Sequence, residues 1–409
     1  MDKNAFRRSQ RLNREMLFRE KLVVRCLAMK YLLTIVVIGL LICGALGDAE
    51  EEVAEGPSHE TAVSDLPQLL ETDEGIEQLY EEFASIEGGQ RRPWTVAESP
   101  ENIKKNRYDD LLAFDHSRVI LNPLPDDPNS DYINANYIDG QNSEKEYVGT
   151  QGPLPNTIND FWRMIWQLNA TKIVMLANII EHGKTKVEKY WPDNSATYGA
   201  IEVTKLMEHS IPRLQHVIRT FSVKRSGIVQ PRLVRQFHFT GWPDLGVPKD
   251  RFPVISIIRQ ARLYNPESEA PLVIHCSAGI GRTGTIILMD SMVQRAKAEG
   301  VVDFPKRLDH MRTLRPDVVE KKEQYVFAHQ AVNEVFNDPE TKEKLEEVEE
   351  EYRLMDSQMD IKDIASPKDF RQALQRMMWQ NTVMRILISS LLEQSDLLNN
   401  KEHNNAVEV

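Results

Sequence analysis

The chain of 409 residues has few of the residues that cross-link a domain or bind metal ions. It contains three cysteines, Cys26, Cys43 and Cys276, and the first two lie in the N-terminal flank. The central part of the chain therefore cannot form an internal disulfide. There is also no H-E-x-x-H or C-x-x-C motif and no cluster of carboxylates with ligand spacing, so no metal or other cofactor is expected.

The chain also lacks an excess of positive charge. The chain has 50 lysines and arginines against 62 aspartates and glutamates, a formal net charge of −12. This balance argues against a general nucleic-acid binder. The acidic residues concentrate in two flanking stretches, Asp48 to Glu60 and Glu340 to Glu351. The region between them can still carry a locally positive site.

Long hydrophobic runs are rare, and the longest uncharged one runs from Tyr31 to Gly47. Its length is at the short end for a membrane-spanning helix. A basic N-terminus precedes it, and Ala45-Leu46-Gly47 is acceptable as a signal-peptidase site. The positive flank favours an N-terminus inside, which would place the rest of the chain outside. The segment is thus interpreted as a single membrane anchor, with a cleaved signal peptide as the alternative.

One segment of ten residues, His275 to Gly284, has the chemistry of a phosphate-binding loop. An apolar, strand-like run precedes it, and a helical pattern, Thr285 to Ala298, follows it. A glycine-rich loop before a helix turns backbone N–H groups toward an anion. Cys276 is placed to act as a nucleophile, since amides, the helix end and Arg282 all favour the thiolate. The guanidinium of Arg282 can bind two phosphate oxygens at once. This spacing makes an inert buried cysteine the weaker interpretation.

The motif His-Cys-Ser-Ala-Gly-Ile-Gly-Arg-Thr-Gly resembles the signature of the classical, phosphotyrosine-specific protein tyrosine phosphatases. The resemblance covers roughly Ile76 to Phe336. Five further blocks agree with that family in the same order: Lys105 to Tyr108, Asp131 to Asn136, Thr150 to Pro153, Asp160 to Met164, and Phe239 to Pro248. The family implies an α/β fold, a highly twisted mixed β-sheet flanked by helices, here followed by a helical C-terminal extension.

The resemblance also implies the catalytic roles. Cys276 would attack phosphorus, and Thr283 would donate a hydrogen bond to its sulfur. The chain contains Trp-Pro-Asp twice, and Asp244 in the second copy matches the general acid. The first copy, which ends at Asp193, matches a structural block. The phosphate would be held by the loop residues Ser277, Ala278, Gly279, Ile280, Gly281 and Arg282.

Other positions match supporting and substrate-binding residues of the family. Tyr108 would stack on the substrate ring and set the depth of the cleft, and Asp110 would hold the substrate backbone. Glu181 would orient Arg282, and Lys186 would contact the acid loop. His275 would shape the phosphate loop rather than titrate.

The sequence departs from the family late in the domain. Glu320 stands where a water-positioning glutamine is expected, and Asp317 stands where glycine is expected. We therefore expect slowed hydrolysis of the phosphocysteine, with Gln324 as a partial substitute. Asp317 is expected to add charge at the mouth of the cleft.

The pattern divides the chain into four parts: residues 1–47 with the hydrophobic segment, an acidic linker at 48–73, a catalytic domain at 74–337, and an extension at 338–409. The extension carries one helical stripe at Leu345, Val348 and Tyr352. A second stripe is formed by Phe370, Leu374, Met377, Met384, Leu387 and Leu391. Such stripes indicate a packing face or a helical, coiled-coil-like partner.

These observations predict a membrane-associated tyrosine phosphatase that acts on phosphotyrosine-containing proteins and binds no nucleic acid. A thiolate enzyme favours a reducing compartment, so the catalytic domain is placed in the cytosol. The alternative is a secreted or lumenal domain. The competing functions are a phosphotyrosine-binding pseudophosphatase, a dual-specificity or lipid phosphatase, and a membrane-tethered scaffold.

Overall fold

A computed structural model describes residues 58–141, 143–243 and 246–357. They form a large twisted mixed sheet flanked by helices, which confirms the predicted fold class. The hydrophobic segment at 31–47, the second C-terminal stripe and Asp244 lie outside the described residues.

The strands of the described residues have these bounds: β1 Thr61–Ala62, β2 Arg118–Ile120, β3 Tyr132–Ile138, β4 Tyr147–Thr150, β5 Lys172–Met175, β6 Ile180–Glu181, β7 Lys184–Thr185, β8 Ser195–Tyr198, β9 Ile201–Ile211, β10 His216–Arg225, β11 Arg232–Phe239, β12 Leu272–His275 and β13 Val301–Val302. The main sheet contains nine of them, in the order β2-β3-β4-β12-β5-β11-β10-β9-β8. Two small sheets pair β1 with β13 and β6 with β7.

The helices connect and cover these strands. Their bounds are α1 Leu66–Leu70, α2 Asp73–Ser85, α3 Thr95–Glu98, α4 Ile158–Gln167, α5 Phe252–Leu263, α6 Gly281–Glu299, α7 Phe304–Leu314, α8 Lys322–Asn337 and α9 Pro339–Ser357. Short 3₁₀ turns occupy Val63–Asp65, Ile103–Lys105 and Pro212–Leu214.

The centre of the sheet positions the cysteine motif. Strand β12 pairs in parallel with β4 on one side and β5 on the other. All four of its residues are buried, as expected for a parallel strand covered on both faces. The motif follows at the carboxyl end of this strand, where open α/β sheets bind their ligands.

Helix α6 begins earlier than its sequence pattern suggested, at Gly281 rather than Thr285. Gly-Arg-Thr-Gly, the last four residues of the motif, forms its first turn. The first amides of a helix have no partner inside the helix and carry its positive end. This turn therefore adds N–H groups to the phosphate loop itself.

Ordered structure begins before the predicted catalytic domain limit at residue 74. Part of the predicted linker is packed: Thr61 pairs with Val302, and Leu66 is fully buried. Thr72 caps α2 by accepting a hydrogen bond from the Gly75 amide at 3.0 Å. The apolar residues that anchor this stretch are few and widely spaced. The sequence therefore showed mainly its acidic composition, which predicted a linker.

Helix α9 buries the stripe formed by Leu345, Val348 and Tyr352. The helix packs against α5 and α8, and the hydroxyl of Tyr352 accepts a hydrogen bond from the buried Arg235 at 2.5 Å. This stripe is therefore a packing face that α9 uses against helices of the same chain. Among the helices that the structure describes, none combines the length and apolar character needed to span a bilayer.

Candidate active site

The phosphate loop places Cys276 directly after β12 with 4% of its surface exposed. The Gly279 amide donates to Cys276 Sγ at 3.3 Å. Gly279 has φ +74°, and a Cβ there would collide with the Thr150 carbonyl, so only glycine fits. The loop therefore directs the backbone N–H of Gly279 at the sulfur.

A bidentate ion pair fixes the orientation of Arg282. Its Nη1 and Nη2 donate to Glu181 Oε1 and Oε2 at 2.7 and 2.8 Å, and Nη1 also donates to the Leu176 carbonyl at 3.1 Å. Glu181 is itself held, because its Oε1 accepts the Asn178 amide at 2.9 Å. The structure thus brings Glu181 and Arg282 into the arrangement that the resemblance implied.

A second arginine, Arg315, supports the loop from behind and was not singled out from the sequence. Its side chain is fully buried and donates to the carbonyls of Gly279 and Ala278 at 2.7 and 3.0 Å. It also donates to Asn136 Oδ1 at 2.7 Å and to Asn134 Oδ1 at 2.9 Å. Its only sequence signal was its position in the Arg-Pro block.

Arg315 belongs to none of the ion pairs found within residues 58–141, 143–243 and 246–357. Burial lowers the pKa of Arg315 to about 10, so it is protonated at neutral pH. Its charge interacts with Cys276. Arg315 therefore places a buried positive charge directly behind the loop that carries Cys276.

The rim of the site is built around Tyr108. Its hydroxyl lies 3.0 Å from Ser277 Oγ, and the residue is 37% exposed. Ser277 Oγ also donates to the backbone carbonyl of Lys186 at 3.0 Å. Arg107 anchors this loop by donating to the carbonyls of Gly152 and Pro153 at 3.0 and 2.7 Å. Tyr108 thus stands at the mouth of the phosphate loop, with Asp110 exposed next to it.

The loop that carries the predicted acid reaches the same arginine. Pro243, the residue before Asp244, accepts a hydrogen bond from Arg282 Nη2 at 3.3 Å. The buried Trp242 donates to the Gly246 carbonyl across the loop at 3.3 Å. Asp193 of the other Trp-Pro-Asp copy instead pairs with Lys189 at the surface. The residue before Asp244 therefore contacts the arginine of the phosphate loop, whereas Asp193 forms its ion pair at the surface.

Thr283 differs from its implied role. Its hydroxyl is buried and finds no hydrogen-bond partner among the residues that the structure describes, so the implied bond to the sulfur is not formed. The methyl group of Thr283 instead faces Gly149, since a Cβ built on Gly149 would lie 3.6 Å from Thr283 Cγ2.

Glu320 and Gln324 flank the start of α6. A Cβ built on Gly281 would lie 3.0 Å from Glu320 Oε2 and 2.9 Å from Gln324 Nε2. Gln324 Oε1 accepts the amides of Glu320 and Lys321 at 3.0 and 3.3 Å. Both side chains therefore border the phosphate loop, and the carbonyl of Gln324 is committed to capping.

The structure places the carboxylate of Asp317 in a structural contact, where the sequence suggested a charge at the cleft mouth. Asp317 Oδ1 accepts the Gly89 amide at 2.6 Å, and the carboxylate interacts with Arg312. Asp317 has φ +49°, a conformation that aspartate tolerates better than most residues. Its charge is used to hold the turn after α2.

His275 is fully buried and packs between Phe161 and Tyr190. Its Nε2 lies 2.9 Å from Tyr190 Oη, and its Nδ1 lies 3.2 Å from the Cys276 carbonyl. Burial lowers the pKa of His275 to about 4, which keeps the ring neutral at physiological pH. This agrees with a loop-shaping role.

No group of three or more His, Cys, Asp or Glu side chains in the described ranges is arranged to hold a metal ion. The chemistry available at the site is that of a thiol, two arginines and the inward-facing amide of Gly279. Such a set can bind a dianion and attack it.

A family model described as protein-tyrosine phosphatase matches residues 102–334, more than half of the chain. The chain therefore belongs to the protein-tyrosine phosphatase family.

Among curated proteins the chain is similar to receptor-type tyrosine-protein phosphatase F. It is 42% identical to the Danio rerio protein over 276 residues and 41% identical to the Mus musculus protein over 275 residues. Each match covers 67% of this chain and 14% of the relative. Receptor-type tyrosine-protein phosphatase S of Gallus gallus is 41% identical over 288 residues, 70% of this chain and 19% of that protein. The chain thus spans less than a fifth of the length of these relatives.

Proposed function

We propose that this chain is a protein tyrosine phosphatase that hydrolyses phosphotyrosine in proteins through a phosphocysteine. The observation that carries the proposal is the arrangement of Cys276, Gly279 and Arg282 in one short loop at the start of α6. A buried sulfur accepts a loop amide at the start of a helix, and a guanidinium fixed by a carboxylate lies six residues on. Amides and a fixed cation at a buried thiol favour nucleophilic catalysis on a dianionic ester.

In the first step, Cys276 Sγ attacks phosphorus and the bond to the tyrosine oxygen breaks. Arg282 and the loop amides hold the three non-bridging oxygens. Asp244 gives its proton to the leaving phenolate, a transfer that typically contributes about 10²–10⁴-fold. The contact between Arg282 and Pro243 supports this assignment, because it brings the residue next to Asp244 to the phosphate-binding group.

In the second step, water attacks the phosphocysteine and Asp244 takes its proton, which releases phosphate and the thiolate. A glutamine amide could donate to that water, whereas the carboxylate of Glu320 cannot. Glu320 borders Gly281 and carries a negative charge toward a bound phosphate. We therefore place the slow step at hydrolysis of the phosphocysteine.

Specificity for tyrosine is supported by Tyr108 at the rim. A phosphate ester must pass this ring to reach Cys276, and the longer phosphotyrosine can do so where phosphoserine and phosphothreonine fall short. The relatives are named receptor-type phosphatases. By analogy we place this chain at a membrane through residues 31–47, with the catalytic domain in the cytosol.

Hydrolysis of a phosphotyrosine peptide by the full chain tests the assignment. Cys276→Ser should abolish turnover, and Asp244→Ala should lower kcat by about 10²–10⁴-fold, the range for a lost general acid. Asp193→Ala is the matched control, since it removes the aspartate of the other Trp-Pro-Asp copy, and it should leave kcat unchanged. Equal losses in the two aspartate variants, or equal rates on phosphotyrosine and phosphothreonine peptides, would contradict the proposal.

Rapid-quench kinetics test the slow second step. Wild type should release the phenol in a burst of about one equivalent, followed by a slower steady state. Glu320→Gln should raise the steady-state rate by about tenfold, close to 1.4 kcal/mol of barrier, and leave the burst rate unchanged. Glu323→Gln, a similar change on the first turn of α8, serves as the control. Absence of a burst, with no gain in Glu320→Gln, would remove this part of the proposal.

A further inference from the structure

A line of polar side chains, buried except for Glu208 at its outer end, connects the outer strands of the sheet to the residue before the catalytic cysteine. Glu208 Oε2 accepts Arg219 Nε at 2.8 Å, and Arg219 Nη1 donates to Gln236 Oε1 at 2.8 Å. Gln236 Nε2 then donates to Tyr190 Oη at 2.6 Å, and Tyr190 Oη contacts His275 Nε2 at 2.9 Å. These residues come from strands β9, β10, β11 and β12 and from the Tyr-Trp-Pro block.

The burial of these groups makes their pairing obligatory. Gln236, Tyr190 and His275 are fully buried, and Arg219 is 8% exposed. A buried donor or acceptor without a hydrogen-bond partner costs about 1–3 kcal/mol, so each of these groups has to form a hydrogen bond with the next. Arg219 is further fixed from above, because its guanidinium lies 4.5 Å from the ring centre of Trp191.

The direction of every hydrogen bond along this line follows from the guanidinium. Arginine has donors only, so Gln236 has to present Oε1 to Arg219 and its NH₂ group to Tyr190. The hydroxyl of Tyr190 accepts that bond and has one proton left to donate. This proton goes to His275 Nε2 at 2.9 Å, because the other acceptor in reach, Met175 Sδ, lies 4.0 Å away and is a weak acceptor. His275 Nε2 is therefore without a proton.

The other side of the His275 ring leads to the same assignment. Its Nδ1 faces the Cys276 carbonyl, which can only accept, so Nδ1 carries the proton. The neutral ring has a single proton, and both contacts place it on Nδ1. The bond from Nδ1 fixes the peptide that follows the attacking residue.

His238 gives an internal comparison. Its Nδ1 lies 3.3 Å from Arg219 Nη1 and has to accept, while its Nε2 lies 3.0 Å from the Ala177 carbonyl and has to donate. Burial lowers the pKa of His238 to about 3, so this ring is also neutral. The same guanidinium thus places the proton on Nε2 in His238 and on Nδ1 in His275.

We propose that Arg219 is a positioning residue: it acts through Gln236 and Tyr190, together with the Cys276 carbonyl, to hold His275 in the Nδ1–H tautomer and so orients the Cys276 peptide. Arg219 touches neither the substrate nor the sulfur. The effect on catalysis rests on the proposed phosphatase function, whereas the tautomer does not.

The decisive variant is Gln236→Glu, which keeps the shape of the side chain and removes its donor. A carboxylate accepts from both Arg219 and Tyr190, so the Tyr190 hydroxyl turns toward it and His275 has to protonate Nε2 instead. Nitrogen NMR of the full chain labelled with ¹⁵N-histidine reads the tautomer, with His275→Gln and His238→Gln used to assign the signals.

We expect wild type to show the Nδ1–H form of His275 and the Nε2–H form of His238. Gln236→Glu should convert His275 to Nε2–H and lower kcat/KM by about tenfold, since a misplacement of 1 Å can cost about a hundredfold. Arg219→Met should leave His275 as a mixture of tautomers. Arg219→Lys, in which the lysine also has donors only, should keep the Nδ1–H form that Arg219→Met loses, and most of the wild-type kcat/KM.

Arg232→Met is the matched control, because Arg232 also stacks on a tryptophan and donates to the Trp166 carbonyl but lies off this line. It should change neither tautomer. An Nε2–H form of His275 in wild type would overturn the proposal, as would an unchanged tautomer in folded Gln236→Glu. A converted tautomer with unchanged kcat/KM would also overturn it. An inactive wild type with the expected tautomers would instead refute the proposed phosphatase function.

Discussion

The phosphate loop and the segment that faces it, residues 317–320, are held in opposite ways. In the loop, the residue with positive φ is a glycine, Gly279, which adopts this conformation without strain, and the buried Arg315 donates to the loop carbonyls. The facing segment has positive φ at two residues with side chains, Asp317 at +49° and Val319 at +59°. Left-handed conformations are unfavourable for a β-branched residue such as valine, at a cost of order 1–3 kcal/mol.

The facing segment keeps this strain because other groups fix it. Arg312 donates to the carbonyls of Val318 and Val319 at 3.3 and 3.0 Å, and the Val319 amide donates to the Ile280 carbonyl at 3.3 Å. The residues proposed for the first step thus lie in an unstrained loop, in which Arg315 holds two of the carbonyls. Glu320, which we assign to the second step, follows directly on a strained one. The comparison predicts that the two steps respond to different substitutions.

The largest effect is expected from Gly279→Ala. The new Cβ would collide with the Thr150 carbonyl, and alanine disfavours φ +74°. The loop would have to open, so the first step should slow by about a hundredfold or more, as for a misplacement of about 1 Å. Rapid-quench measurement of the burst rate gives the loss.

Gly227→Ala is the control for this prediction. Gly227 has φ +81° and open space around its Cβ position, so it isolates the backbone cost alone. That variant should lose about 1 kcal/mol of stability and keep its burst rate. Similar burst rates in the two variants would show that the loop is not constrained as described.

The two buried arginines allow the comparison to be tested directly. Arg315→Lys removes the fork that holds the Ala278 and Gly279 carbonyls, whereas Arg312→Lys removes the fork that holds Val318 and Val319. Each should cost about 2–3 kcal/mol of unfolding free energy, the range for lost hydrogen bonds to a charged group.

The kinetic consequences of these two variants should differ. Arg315→Lys should lower the burst rate by about tenfold to a hundredfold and slow alkylation of Cys276 by iodoacetate, because it loosens the first-step loop. Arg312→Lys should leave both rates within about twofold and alter only the steady state. Urea unfolding gives the stabilities, and equal loss of burst rate in both variants would show that the two regions act as one.

Part of this arrangement could be predicted from the sequence. Contiguous motifs, such as His275 to Gly284, specified the loop, the nucleophile and the arginine, because neighbouring residues determine a strand-loop-helix turn. The ion pair of Arg282 with Glu181 followed from family resemblance and is present. The first stripe of the extension was recognised from its helical spacing, but the surface that it packs against was not.

The remaining features depend on contacts between residues far apart in the chain. In the sequence, nothing distinguishes Arg315 from the other arginines. Only the fold shows that it is buried behind the loop without an ion-pair partner in the described ranges. Arg219 and Gln236 lie on strands whose register brings them to the Tyr190 side chain. The role of Asp317 was misjudged because its partner, Gly89, is more than 200 residues away in sequence.

The smallest effect is expected from substitutions of Asp317, where strain and hydrogen bonding oppose each other. Asp317→Ala loses the bond to the Gly89 amide and keeps an unfavourable φ, so it should cost about 1–2 kcal/mol. Asp317→Gly loses the same bond but relieves the backbone, so its cost should be within about 0.5 kcal/mol of zero. Urea unfolding of both variants separates the two terms.

Asp317→Asn completes this series, because asparagine tolerates the left-handed conformation and keeps an acceptor for the Gly89 amide. It should lie between wild type and Asp317→Ala, and the difference from wild type measures the interaction of the carboxylate with Arg312. Because the contacts of Asp317 lie in the turn after α2, all three variants should keep the burst rate. If the burst rate of Asp317→Gly instead rises toward that of a family member with glycine here, the strained segment governs the first step as well, and the division between the two regions fails.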